Sequence, residues 1–469
     1  VPHFDICVIG SGPGGQKAAI QAGKTGKSVC VVERMDQVGG VAIHTGTIPS
    51  KAFRQAIIQA TRGRDHLAVR ADIKAGRIST EELLSACQRI IATEMEIVRL
   101  QLRRNGAEVF SGEASFKDAR TIDVRNREGS FEISADKFII AVGTEPVQPK
   151  YIPFDSECII TSDNLLDLRC LPESLVVVGG GVIGTEFASM FARLGVKVTL
   201  VVKAHRVLGF LDLQIGEALQ YHMRQRGMVL RLGEELSRVE RVVRPSSSTG
   251  GAKTEVVTLL KSGKELRSDA LLYCLGRSGV TGCLNLEAAG LQADDRGRIA
   301  VNENFQTTNP DIYAVGDVVG FPALASTAMN QGRMAACHIT GLPMSKLREY
   351  FPFGIYSVPE ISMVGDNEEE LTEKGLPYET GVAHYKEIAR GQLLGDEVGM
   401  LKLLFHPETK KVLGVHIIGT NATELIHIGQ AVMALDATMH YFVDSAFNYP
   451  TLAECYRVAA LNGLNKLRG

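Results

Sequence analysis

Apolar residues fall along this chain in two rhythms. Short unbroken runs such as Ile6-Cys7-Val8-Ile9, Val29-Cys30-Val31-Val32 and Val176-Val177-Val178 predict buried strands, and so does the segment 196–202. Elsewhere Ala18, Ala19 and Ala22, or Leu83, Leu84, Cys87, Ile90, Ile91 and Val98, keep the three-to-four spacing of a helix face. Ser79-x-x-Glu82 predicts a capping box opening the second of these helices, and Gly106 supplies its C-terminal stop. From Phe351 onward strand-like runs return, at 355–361, 399–405 and 412–419.

Two of the strands end in glycine. The first runs into Gly10-Ser11-Gly12-Pro13-Gly14-Gly15, then a helix, then a second strand ending in Glu33. Gly10 permits a tight turn, Gly12 lets backbone approach a pyrophosphate, Gly15 lets helix and strand pack closely, and the helix N-terminus supplies positive potential. Glu33 is placed to accept hydrogen bonds from ribose hydroxyls. The second copy, Gly179-Gly180-Gly181-Val182-Ile183-Gly184, follows Val178 and leads through a helix at 185–194 to Val202. Two such units predict two dinucleotides. Val202 replaces the acid that an NAD-selective unit uses, and Lys203, His205 and Arg206 follow it, a set suited to a 2′-phosphate. A solvated basic turn is the alternative.

At 469 residues the chain is long enough for two or three cores. Its 45% hydrophobic and 22% charged residues, with a net charge of −2, are those of an ordinary soluble protein and give nucleic acid no basic surface. Nine cysteines without Cys-x2-Cys or Cys-x4-Cys spacing predict reduced thiols and no metal site. The first strand begins within a few residues of Val1 and no apolar run approaches about 18 residues, so a cytoplasmic protein without a signal peptide or membrane span is expected. Pro245 to Gly251 reads as a hairpin tip.

The stretch Gly39-Gly40-Val41-Ala42-Ile43-His44-Thr45-Gly46-Thr47-Ile48-Pro49-Ser50-Lys51 resembles the redox helix of the flavin-dependent disulfide reductases related to dihydrolipoamide dehydrogenase and glutathione reductase. Their two cysteines are here Ala42 and Thr47, and Tyr449 stands where their His-Pro-Thr-x-x-Glu segment has histidine. The chain is similar nearly end to end to the soluble pyridine nucleotide transhydrogenases of that superfamily.

The resemblance implies an α/β fold with two Rossmann-like units, one for FAD and one for NAD or NADP, and an α+β C-terminal dimerisation domain. It implies FAD-binding parts at 1–150 and 276–345, a nicotinamide-nucleotide unit at 151–275 and an interface domain at 346–469. Lys51 and Glu186 match a lysine and glutamate that pair beside the flavin. Asp317, closing Asn309 to Asp317, matches the ribitol-binding aspartate, and Ala325 lies in the segment covering the ring. Gly14, Arg34, Gly39, Gly40, Val41, Ala42, Ala114, Gly143 and Gly276 match further cofactor positions.

The implied activity is reversible hydride exchange between NADPH and NAD through FAD, by alternating use of one site in a homodimer or larger assembly. A diaphorase or quinone reductase, and a catalytically idle nucleotide-binding relative, are the alternatives.

Overall fold

The structure is a computed structural model and describes residues 1–64, 66–245, 252–343 and 350–467. The expected hairpin tip falls at 246–251, outside the described residues; the strands leading to it, Leu236–Pro245 and Ala252–Leu260, pair antiparallel.

Each glycine-ended strand is paired in parallel on both sides. His3–Ile9 pairs in parallel with Val29–Glu33 on one side and Gly129–Ile140 on the other. Ile312–Ala314 joins that same sheet, so a strand from late in the sequence completes the first unit. Ser174–Val178 likewise lies between Lys197–Val202 and Ala270–Tyr273, with Ile159–Thr161 and Val229–Leu232 at the edges. Helices cover these sheets, which explains unbroken apolar runs rather than alternation: Cys7, Val8, Val31 and Leu200 are fully buried. The C-terminal sheet is antiparallel, in the order Phe353–Ile355, Ile361–Gly365, Val412–Ile418, Met400–Phe405, Glu379–His384.

The helix after Ser79 runs Thr80–Arg104, with Gly106 at φ +72° beyond its end. Its expected box is present in its forward half, Glu82 N–H donating to Ser79 Oγ at 3.2 Å. The segment 40–60 is not one helix. Gly40–His44 and Thr47–Ala60 are separate, because the chain turns at Thr45 and Gly46, whose N–H groups both fold back to the Val41 carbonyl. Ala42 therefore sits on the short helix and Thr47 opens the long one.

The Thr47–Ala60 helix packs on Val182–Arg193, the helix of the second glycine turn. Phe53 and Phe191 meet at 6.0 Å between ring centroids, both buried, and each such ring contributes about 2–3 kcal/mol by leaving water. Arg193 adds two bonds, Nε to Thr61 Oγ1 at 2.9 Å and a terminal nitrogen to the Thr61 carbonyl at 3.0 Å. This contact sets where Lys51 and Glu186 stand.

Candidate active site

The two glycine turns are built alike. A Cβ on Gly15 would fall 1.9 Å from the Gly10 carbonyl oxygen, and one on Gly184 2.0 Å from that of Gly179, so neither helix could approach its strand with a side chain there. Gly12 and Gly181 are the N-caps; neither is capped by a side chain and neither helix carries an acid in its first turn. A Cβ on either would meet nothing within 4 Å. Both helix ends thus offer free N–H groups toward open space, the arrangement that suits a pyrophosphate.

A cavity of about 1690 Å³ runs from the first turn along the seam between the sheets. Gly10, Gly12, Gly14, Glu33 and Arg34 line one end; Gly40, Val41, Ala42 and Lys51 follow; Ala114, Gly143, Asp317, Ala325 and Glu186 complete the wall. Gly15 and Gly39 lie behind that wall, Gly39 N–H donating to Ser11 Oγ at 2.9 Å. Gly276, at φ +94°, turns the chain after Ala270–Tyr273 and accepts from Val147 N–H at 3.2 Å.

Glu33 is buried, and its carboxylate accepts from Ser11 N–H (2.9 Å), Ser11 Oγ (2.5 Å) and Met35 N–H (3.0 Å), which locks it across the glycine turn with one lone pair, on Oε1, to spare. Burial pushes the Asp317 carboxyl above its ordinary value, opposed by the Arg277 charge and by a long bond from Thr144 Oγ1 at 3.4 Å. Thr45 Oγ1, on the cavity wall, is buried without a hydrogen-bond partner. A long cavity with uncapped helix ends, a fixed carboxylate at one end and under-satisfied polar groups further along fits an extended dinucleotide.

Lys51 Nζ lies 2.8 Å from Glu186 Oε2, with Lys51 27% and Glu186 4% exposed at the side chain. Sequence reading did not find what surrounds the pair. Tyr356 N–H donates to Glu186 Oε1 at 2.8 Å, and the Tyr356 ring lies 4.8 Å below the Lys51 ammonium. Next to it the Ser357 carbonyl accepts from Arg54 Nε at 3.0 Å, Val358 N–H donates to Ser189 Oγ at 3.0 Å, and Glu360 pairs with Arg54 at 3.0 Å. The segment 356–360 therefore straps the two helices together at Lys51 and Arg54 on one and Glu186 and Ser189 on the other. The i, i+3 spacing on each helix is the available signal; its partner segment is about 170 residues further on.

The basic turn after Val202 is partly engaged. Leu208 N–H donates to the Gly180 carbonyl at 3.0 Å, which curls the turn back to the glycines. Lys203 is 76% exposed and 3.4 Å from Glu235, His205 is exposed, and Arg206 holds Glu369 through two bonds of 2.9 and 2.6 Å.

Two family models match the chain: pyridine nucleotide-disulphide oxidoreductase over residues 4–332, and the dimerisation domain of the same family over 351–460. A soluble pyridine nucleotide transhydrogenase of Mycobacterium bovis is 49% identical over 99% of this chain and 98% of its own length. Its namesake in Colwellia psychrerythraea is 45% identical over 99% and 98%. The chain belongs to this family.

Among solved structures, LpdA of Mycobacterium tuberculosis superposes with a TM-score of 0.86 at 26% identity, covering 98% of this chain and 99% of that one. The HOCl-induced flavoprotein disulfide reductase RclA of Escherichia coli gives 0.85 at 26%, with the same coverage. Within this family the chain carries Ala42 and Thr47 where the resemblance places the redox cysteines. Among the described residues no group of three or more His, Cys, Asp or Glu could hold a metal, and no helix is long and apolar enough to cross a membrane.

Proposed function

We propose that this chain exchanges hydride between NADPH and NAD in the cleft at Lys51 and Glu186, as a flavoprotein homodimer or larger homo-oligomer in the cytoplasm. The observation that carries the reading is an intact flavin and nicotinamide cleft whose redox positions hold Ala42 and Thr47, so that electrons have no protein disulfide to reach.

On this reading residues 1–150 and 276–345 hold FAD, 151–275 the nicotinamide nucleotide, and 346–469 form the interface. Gly10, Gly12 and Gly14 and the uncapped helix behind them take the FAD pyrophosphate, Glu33 the adenosine ribose, and Asp317 the ribitol. Gly179, Gly181 and Gly184 do the same for the incoming nucleotide. Bound FAD supplies a two-electron store, which lets NADPH and NAD use one site in turn.

Lys51 keeps a positive charge at the cleft wall, where it stabilises negative charge developing on the reacting rings. Glu186 has each oxygen already fixed by one donor, and the second lone pair on either remains for a carboxamide N–H, so it orients a nicotinamide without releasing Lys51. Val202 leaves room for a 2′-phosphate, and Lys203, His205 and Arg206 supply its positive field.

Reduction of thio-NAD by NADPH, set beside reduction of a quinone by NADPH, tests the reading. Rapid thio-NAD turnover with slow quinone turnover is expected, and the reverse would make the protein a diaphorase.

A further inference from the structure

A site that serves NADPH and NAD in turn must not hold either too well. An arginine free to meet a 2′-phosphate in two-pronged fashion would favour NADP(H) strongly. Arg206 is not free. Both prongs of its guanidinium are on the Glu369 carboxylate, and one also reaches the Gly209 carbonyl at 2.5 Å. Glu369 comes from the dimerisation region, on the helix Glu368–Glu373, whereas Arg206 lies on the turn tied to Gly180.

The bridge is not what fastens these regions. Beside it Lys402, 1% exposed, holds both oxygens of Asp212 at 2.9 Å and also pairs with Glu368, and Asn367 Nδ2 donates to the Phe210 carbonyl at 3.3 Å. Those contacts are buried or half-buried, while Arg206 and Glu369 are 30% and 46% exposed. A carboxylate on a partly exposed arginine, at a junction already secured, is a counter-ion that an incoming anion can replace.

We propose that Glu369 is a specificity-determining residue: it occupies Arg206, so that NADP(H) must exchange one anion for another there while NAD(H) leaves the bridge closed. The affinities of the two nucleotides are thereby drawn together. The proposal rests on the reading of Arg206 as a 2′-phosphate contact.

The test uses the purified holoenzyme, calorimetry, and two probes of the adenosine end, adenosine 2′,5′-bisphosphate and 5′-AMP. E369Q, with E369A as a second variant, should tighten the bisphosphate about two- to fivefold, the range open to a partly exposed pair, and leave 5′-AMP unchanged. R206A should weaken the bisphosphate alone, and adding E369Q to R206A should change nothing further. If R206A weakens the bisphosphate but E369Q and E369A do not tighten it, or tighten both probes equally, Glu369 has no such role and the reading of Arg206 stands. If R206A leaves the bisphosphate unaffected, that reading and this proposal fall together.

Discussion

Lys51 Nζ and Glu186 Oε2 stand 2.8 Å apart although 135 residues separate them, one on the helix that Thr47 opens and the other on the helix of the second glycine turn. The pair joins the two nucleotide units at the cleft wall. Removing Lys51 strands a carboxylate that is 4% exposed. Lys51→Met should therefore cost roughly 1–3 kcal/mol of stability, less than a fully buried pair because Lys51 itself is partly wet. It should also slow anaerobic reduction of the bound flavin by NADPH about 10- to 1000-fold, read in a stopped-flow instrument. Tyr356→Phe keeps the ring and should behave as wild type; Tyr356→Leu should lose about threefold to tenfold in the same measurement. A Lys51→Met enzyme reduced at the wild-type rate would remove the pair from the reaction.

Val202 occupies in the second unit the place of Glu33 in the first, and Gly180 that of Ser11, whose N–H holds the Glu33 carboxylate. Val202→Glu should find the Gly180 N–H in the same way. The expected result is a KM for NAD(H) lowered about threefold to tenfold through a ribose hydrogen bond, and a KM for NADP(H) raised by at least as much through repulsion. Lys203→Ala should raise the NADP(H) value alone. Equal changes for both nucleotides, measured in separate half-reactions, would leave the basic turn as ordinary surface.

His222, in the last turn of the helix Leu213–Gln225, is held down to about 4 from its usual 6.5 by burial first and by the Arg226 charge second. Its folded value is the lower one, so between pH 6.5 and about 4 the unfolded chain takes up a proton that the native chain refuses. Native stability should fall with pH across that window, by on the order of 2 kcal/mol from this residue. His222→Gln should flatten the melting-temperature profile between those limits and leave it unchanged at pH 8. A profile as steep as wild type would place the acid sensitivity elsewhere.

Ala42 and Thr47 predict that two electrons fully reduce each chain in a dithionite titration. Cys283 is the cysteine on the cavity wall, and burial pushes its thiol up, away from the thiolate. No long-wavelength thiolate-to-flavin absorption should appear. Uptake of four electrons, or such a band, would mean that a cysteine takes part.

Both glycine units, the long helix and its N-terminal cap, and the C-terminal strands Met400–Phe405 and Val412–Ile418 were legible because each is encoded by local spacing. Glu33 was legible for the same reason, since it ends the strand next to its own turn. The apolar run at 355–361 was not a strand, since one strand ends at Ile355 and the next begins at Ile361, and the residues between them turn their backbone groups to the two helices. The break at Thr45 and Gly46 was not legible, because the surrounding glycines and the helix-forming residues beyond them compete locally and the turn back to Val41 decides. Tyr356 and the strap around it have no local signature; they are set by packing of a distant segment on two helices. Arg206 read correctly as a basic residue of the turn, but its bond to Glu369, 163 residues on, depends on how the dimerisation region meets that turn.

On the proposed function one cleft takes hydride from NADPH and returns it to NAD with no other redox centre involved. Anaerobic addition of one equivalent of NADPH per chain, followed by excess NAD and observed in the visible spectrum, tests it most directly. NADPH should bleach the yellow colour and NAD should restore it fully, with one equivalent of NADH formed. Colour that stays bleached with NAD but returns with a quinone would contradict it.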